Sequence, residues 1–189
     1  TFGPHLALLY GKEEILKALP NQNHEFLEGQ YPYTINPGGP NHEELVSLIG
    51  IYEYFENFYN HHFQNKDLDI LSKIKKINGL KSKHEEKIAN PVLDYINDRK
   101  DLNLIGKKRI TNKDRAPTIA FTSNKLSSNK LSKILVDNNI ATRNDNFYAW
   151  RCLKYLGIDT EDGVVRISMV HYNNKEDTNK LLTALDKTC

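Results

Sequence analysis

The stretch Val164-Val165-Arg166-Ile167-Ser168-Met169-Val170-His171-Tyr172-Asn173 decides the reading of this chain. It is apolar and rich in β-branched residues, and it reads as a strand from Val164 to Tyr172. On a two-residue period Arg166 shares a face with Val164, Ser168, Val170 and Tyr172. A charge on a buried apolar face needs a partner. An arginine fork takes a carboxylate through two parallel hydrogen bonds. Arg166 is therefore a candidate carboxylate ligand, although a structural ion pair or an exposed edge strand would give the same pattern.

Outward from this strand, elements of both kinds alternate. Asn174 is placed to cap a last helix carrying Leu181, Leu182 and Leu185. On the N-terminal side, Phe147, Trp150, Leu153 and Leu156 mark a helix. The polar segment Arg143-Asn144-Asp145-Asn146 before it reads as a loop, either one that lines a cleft or a capped helix start. Residues 140–142 read as a short strand. Residues 128–138 read as a helix with Leu131, Ile134 and Leu135 inward, and 102–105 and 117–122 read as strands. Earlier still come a helix from about Ser82 to Asn97 that Pro91 kinks or breaks, and another over about 67–77. The Asn78-Gly79 turn signal between these helices suggests two domains, 1–78 and 79–189. Asn41 caps a helix with the apolar stripe Leu45, Leu48, Ile49, Tyr52, Phe55 and Tyr59. Residues 21–40 form a loop rich in Gly and Pro. Lys12 to Leu19 is a short helix stopped by Pro20, and Leu6 to Tyr10 reads as a buried strand. Strands mixed with helices imply a layered α/β or α+β architecture.

Composition excludes several classes. A formal charge of +2 with scattered lysines is too weak an electrostatic footprint for nucleic acid. The one basic cluster, Lys73, Lys75 and Lys76, reads as a solvated helix face. No stretch approaches the ~18 apolar residues of a membrane span, and no signal peptide is visible. Cys152 and Cys189 have neither metal-ligand spacing nor a disulfide framework, which fits a reduced, cytoplasmic setting. His61-His62 has no further ligands near it in sequence, so a metal site is not expected. The chain does not begin with Met, and sequence upstream of Thr1 is expected.

Gly38-Gly39-Pro40-Asn41 leads into a helix start, where free amides and the positive dipole end suit a phosphate and glycines allow close approach. A plain loop explains that segment equally. Three segments together shift the balance. Thr1-Phe2-Gly3-Pro4-His5 with Leu6 to Gly11 resembles the class V aminotransferase and cysteine desulfurase family, in which the lysine that holds pyridoxal phosphate (PLP) is followed shortly by Gly-Pro and by a strand ending in Tyr-Gly. Gly38-Gly39-Pro40-Asn41-His42-Glu43 is similar to the family's Gly-Thr-Pro-Asn segment. Arg166 to Asn173 resembles its strand that carries an arginine and ends in Tyr-Asn.

The resemblance implies the C-terminal part of a fold-type I PLP-dependent transferase: the end of the large domain, then the small α/β C-terminal domain. It implies a homodimer acting on an amino acid. Gly38, Gly39 and Asn41 would reach the neighbouring subunit's PLP phosphate, Arg166 would grip the substrate carboxylate, and Arg143 would be a second substrate-binding residue. The PLP lysine is expected just upstream of Thr1. Three departures stand out. The family's phosphate-loop threonine is Gly39 here. The loop matching Arg143 to Tyr148 has no persulfide cysteine, and Cys152 reads as packed within a helix. No lysine within the chain occupies the cofactor-holding context, Lys12 included. An amino-acid transferase, lyase or desulfurase-like enzyme is one expectation; a non-catalytic dimerisation or interaction domain is the other.

Overall fold

The architecture is set by four strands that find one another across long sequence separations. The computed structural model describes residues 5–36, 38–111 and 114–188. The strands are β1 (Leu102–Ile105), β2 (Thr118–Ser123), β3 (Arg143–Asp145) and β4 (Val164–Ser168). They form one sheet in the order β1-β2-β4-β3, every neighbouring pair antiparallel. Leu104 lies opposite Phe121, Phe121 opposite Val165, and Ile119 opposite Ile167. Side chains alternate along a strand, so Leu102, Leu104, Ile119, Phe121, Val165 and Ile167 share one face. That face is the core.

Among the described residues there are six α-helices: α1 (Glu13–Ala18), α2 (His42–His62), α3 (Ile70–Asp98), α4 (Ser128–Asp137), α5 (Trp150–Tyr155) and α6 (Lys175–Asp186). The core face meets α3 through Ile88, Ala89, Val92, Leu93 and Ile96, α4 through Leu131 and Leu135, and α6 through Leu181, Ala184 and Leu185. Polar groups fix the registry between them. The buried Asn90 amide accepts from the Ile110 N–H (2.8 Å) and donates to the Ile110 carbonyl (3.2 Å), tying the β1–β2 connection to α3. Thr178 donates to the Ile88 carbonyl (3.0 Å), tying α6 to α3. At the start of α6 the Asn174 side chain accepts from Glu176 and Asp177, and Asp177 accepts from the Asn174 N–H, a complete capping box.

The chain divides into two compact units, 1–77 and 78–189, and the division falls within α3. In the first unit Tyr59 is fully buried, stacks on Phe63 and donates its hydroxyl to the Asn65 carbonyl (2.7 Å). Lys73 pairs with Glu56 at 2.9 Å.

Several sequence expectations need correction. Residues 67–97 hold no break at Asn78-Gly79 or Pro91; α3 is one helix of 29 residues. A mid-helix glycine costs only about 1 kcal/mol, and the helix buries apolar residues on either side of it, Ile77 before and Ile88, Val92 and Ile96 after. Pro91 stands on the exposed side. The strand expected at Leu6–Tyr10 does not form; Tyr10 is 90% exposed. Strand amides need a neighbouring strand, and among the described residues this segment has none. The stripe on α2 stays largely open, with Leu45, Ile49 and Tyr52 exposed and only Tyr59 buried. Lys73 is not solvated with Lys75 and Lys76, because Glu56 holds it. The short strand falls at Arg143–Asp145, not at 140–142, since β4 supplies its ladder there. Strand β4 stops at Ser168 because Val170 and Asn173 close a turn: the Asn173 N–H donates to the Val170 carbonyl, and the Val170 N–H to the Asn173 side chain. Thr1 to Pro4 and Cys189 lie outside the described residues.

Truncating the central aromatic, Phe121→Ala, is expected to destabilise the chain by about 3–5 kcal/mol in urea unfolding, because the ring is fully buried. Asn174→Ala should cost about 1 kcal/mol. Asp101 accepts from Arg99 and Lys125, which holds its carboxyl well below the usual range; Lys107 and Thr111 lower Asp114 to about 2. Both folded values lie below the unfolded one, so this stability is present above about pH 3.8 and is lost on acidification towards pH 2. The thermal midpoint should fall over that interval, and less steeply in Asp101→Asn.

Candidate functional site

The sheet's other face carries the site. Ile105 lies opposite Ala120, Ala120 opposite Arg166, and Arg166 opposite Arg143, a row that crosses all four strands. Arg166 is half-buried in the middle of the row, and Arg143 is exposed on the edge strand. The two border a cavity of about 220 Å³ together with Ala141, Thr142 and Ser168.

The turn after β3 determines how Arg166 is held. Asn146 organises it: its side chain accepts from the Tyr148 N–H (3.1 Å) and its carbonyl from the Ala149 N–H (2.8 Å). Within this turn Phe147 and Tyr148 both take positive φ, 51° and 61°. Bulky residues rarely adopt that region. The outcome is a Phe147 ring over Arg166, guanidinium carbon to ring centroid 3.9 Å, while Tyr148 points to solvent. Stacking over an aromatic face stabilises a guanidinium by about 0.5–2 kcal/mol and fixes its plane. Gly163, at φ 66°, precedes β4 where an added Cβ would collide with the Asp145 carbonyl, so the close approach of β3 and β4 requires glycine.

Sequence had placed Arg166 on the buried apolar face, and that is corrected. In β4 the main core cluster takes Val165 and Ile167, on the opposite face from Arg166, whose own face holds the buried Val164. Nor is β4 an edge strand. The partner of Arg166 is an aromatic ring, and among the described residues neither Arg166 nor Arg143 forms an ion pair with a carboxylate. Arg143 itself belongs to a strand, not a loop. Cys152 is exposed on α5, not packed. It borders a larger groove of about 820 Å³ with Asn103, Thr122, Asp159 and Asp162 among its lining. Phe147 was not foreseen as the arginine's partner, because only the left-handed turn turns its ring back onto β4.

The Gly38-Gly39-Pro40-Asn41 segment belongs to the first unit, Arg166 and Arg143 to the second. Gly38, Gly39 and Asn41 are exposed, and among the described residues, chain neighbours aside, no atom lies within 4 Å of a Cβ added at either glycine. Asn41 accepts from the Glu44 N–H at 3.0 Å and caps α2. This open backbone at a helix start suits a phosphate, while Glu43 and Glu44 in the first turn oppose one electrostatically. Lys12, the N-cap of α1, is exposed. Among the described residues no cluster of His, Cys, Asp or Glu is placed to hold a metal, and no helix is long and apolar enough to cross a membrane.

Comparison with known proteins bears on the family and the fold. The family model for aminotransferase class V matches residues 7–181. The chain is 25% identical to the aminotransferase-like protein FGM3 of Gibberella zeae over 190 residues, covering 98% of the chain and 43% of that protein. The chain thus spans less than half the length of this curated relative. Among solved structures, the cysteine desulfurase CsdA of Escherichia coli superposes with a TM-score of 0.60 at 22% identity, over 82% of this chain and 32% of that one. The apo cysteine desulfurase of Thermococcus onnurineus gives 0.59 at 21% identity, over 82% and 33%. These likenesses show the fold, that of part of a fold-type I PLP enzyme. With its family model matched over almost all of its length, the chain belongs to the aminotransferase class V family.

Proposed function

We propose that this chain is part of a PLP-dependent enzyme acting on an amino acid, and that Arg166 binds the substrate's α-carboxylate. The observation that carries the reading is Arg166 itself: half-buried, without a carboxylate partner among the described residues, and oriented by Phe147 on the sheet face away from the main core. Burying a cation without a counter-ion is unfavourable, so the position is suited to an anionic ligand. Residues 1–78 are read as the end of the large domain and 79–189 as the small one. Gly38, Gly39 and Asn41 would contact the phosphate of PLP in the neighbouring subunit of a homodimer, through backbone N–H groups, since Gly39 offers no hydroxyl. When bound, PLP supplies an electron sink for bonds at the substrate's α-carbon. The lysine that would hold it is expected outside residues 1–189. This chain's own contribution is to bind and orient the substrate through Arg166 and to keep the guanidinium plane fixed through Phe147.

Transamination, epimerisation and β-elimination fit these residues better than persulfide transfer, because Arg143 to Tyr148 contains no cysteine. The alternative, a non-catalytic dimerisation or interaction domain, is favoured by Gly39, which offers no hydroxyl to a phosphate.

The test uses the protein from its full reading frame with PLP added. A visible cofactor band that responds to amino acids is expected. In Arg166→Ala the amino-acid concentration for half-response should rise about 10- to 100-fold, the loss of a charge-assisted hydrogen-bond pair. An unchanged concentration in that variant would sink the carboxylate role, and a folded full-length protein without a band would favour the interaction domain.

A further inference from the structure

We infer that Arg143 and Arg166 together form a site for a dianion, so that the substrate class is an amino acid bearing a second acidic group. This rests on the assignment of Arg166 to the α-carboxylate and extends it to Arg143. The two arginines are direct cross-strand partners on β3 and β4. Partners in such a pair have Cβ atoms about 4.5–5.5 Å apart, and like charges so placed destabilise a sheet. Sheets ordinarily relieve this with an acidic neighbour. Among the described residues none pairs with either arginine. Asp145, two residues along β3 on the same face, instead accepts the Asn146 N–H at 2.6 Å. The repulsion is therefore left for a ligand to relieve.

The geometry separates two anionic positions. Phe147 covers one face of the Arg166 guanidinium, which leaves its donor edges for one carboxylate. A single carboxylate balances one of the two charges. Arg143 stands at the exposed rim of the same cavity, with its whole fork uncommitted, and Ser168 adds a hydroxyl at the lining. A second acidic group on the ligand's side chain would meet Arg143 while the first stays on Arg166. A carboxylate or a phosphonate would serve equally, since both accept bidentate arginine bonds.

The experiment titrates the 189-residue chain, without cofactor, with butyrate, glutarate and 3-phosphonopropionate, following the arginine side-chain N–H signals by NMR. Either dianion should bind at least about 10-fold more tightly than butyrate, and the tighter of the two identifies the second group. Arg143→Gln should bring the dianions to the level of butyrate in the same variant, and Arg143→Lys should keep part of the preference. Arg166→Gln should abolish binding of all three. Equal affinity for butyrate and both dianions, with butyrate binding lost in Arg166→Gln, overturns the inference and leaves the carboxylate role of Arg166 standing. Butyrate binding that survives in Arg166→Gln, or no binding by a chain folded by circular dichroism, overturns both.

Discussion

The pairing of β2 with β4 determines the rest of the C-terminal unit. With Phe121 opposite Val165 and Ile119 opposite Ile167, the apolar side chains of both central strands point the same way, and α3, α4 and α6 close over them. The same register puts Arg166 opposite Ala120 on the reverse face. A slip of one residue would exchange the faces, burying a guanidinium in the core and exposing Val165 and Ile167. The site and the core are thus two consequences of one register.

Local polar contacts keep that register from slipping. The reciprocal Asn90–Ile110 bonds satisfy a loop backbone that passes over a buried helix surface, where an unpaired amide would be costly. Asp162 receives the Ser128 N–H at 2.8 Å, which anchors the segment before β4 to the start of α4. Gly163 then lets β4 run close beside β3. The left-handed Phe147 and Tyr148 are strained positions that this surrounding framework maintains. Their effect is local: an arginine whose plane is fixed before any ligand arrives, so less ordering is needed on binding.

The first unit has a different balance. Tyr59 and Ile77 are fully buried and the Lys73–Glu56 pair is partly buried, while Leu8, Leu9, Tyr10 and most of the α2 stripe remain exposed. An apolar strand or stripe is stable in water only when something covers it. In FGM3, the curated relative, more than half the length has no counterpart in this chain.

By itself the sequence determined the layered α/β class, α4, α6 with its Asn174 cap, the Asn41 cap of α2, the strand carrying Arg166, and the family, because caps, periodicity and short motifs are local properties of neighbouring residues. It misplaced the helix break at Asn78-Gly79, where the small cost of one glycine does not end a helix, and the strand at Leu6–Tyr10, which needs a partner to pair with. Only the tertiary structure decided that β3 is a strand, that Arg143 stands opposite Arg166, and that Phe147 covers the guanidinium. Those three depend on ladder pairing between residues 143–145 and 164–166 and on a left-handed turn. Neither leaves a periodic trace in the chain, since the ladder is formed by backbone groups common to every residue and the turn places an ordinary phenylalanine where sequence favours glycine or asparagine.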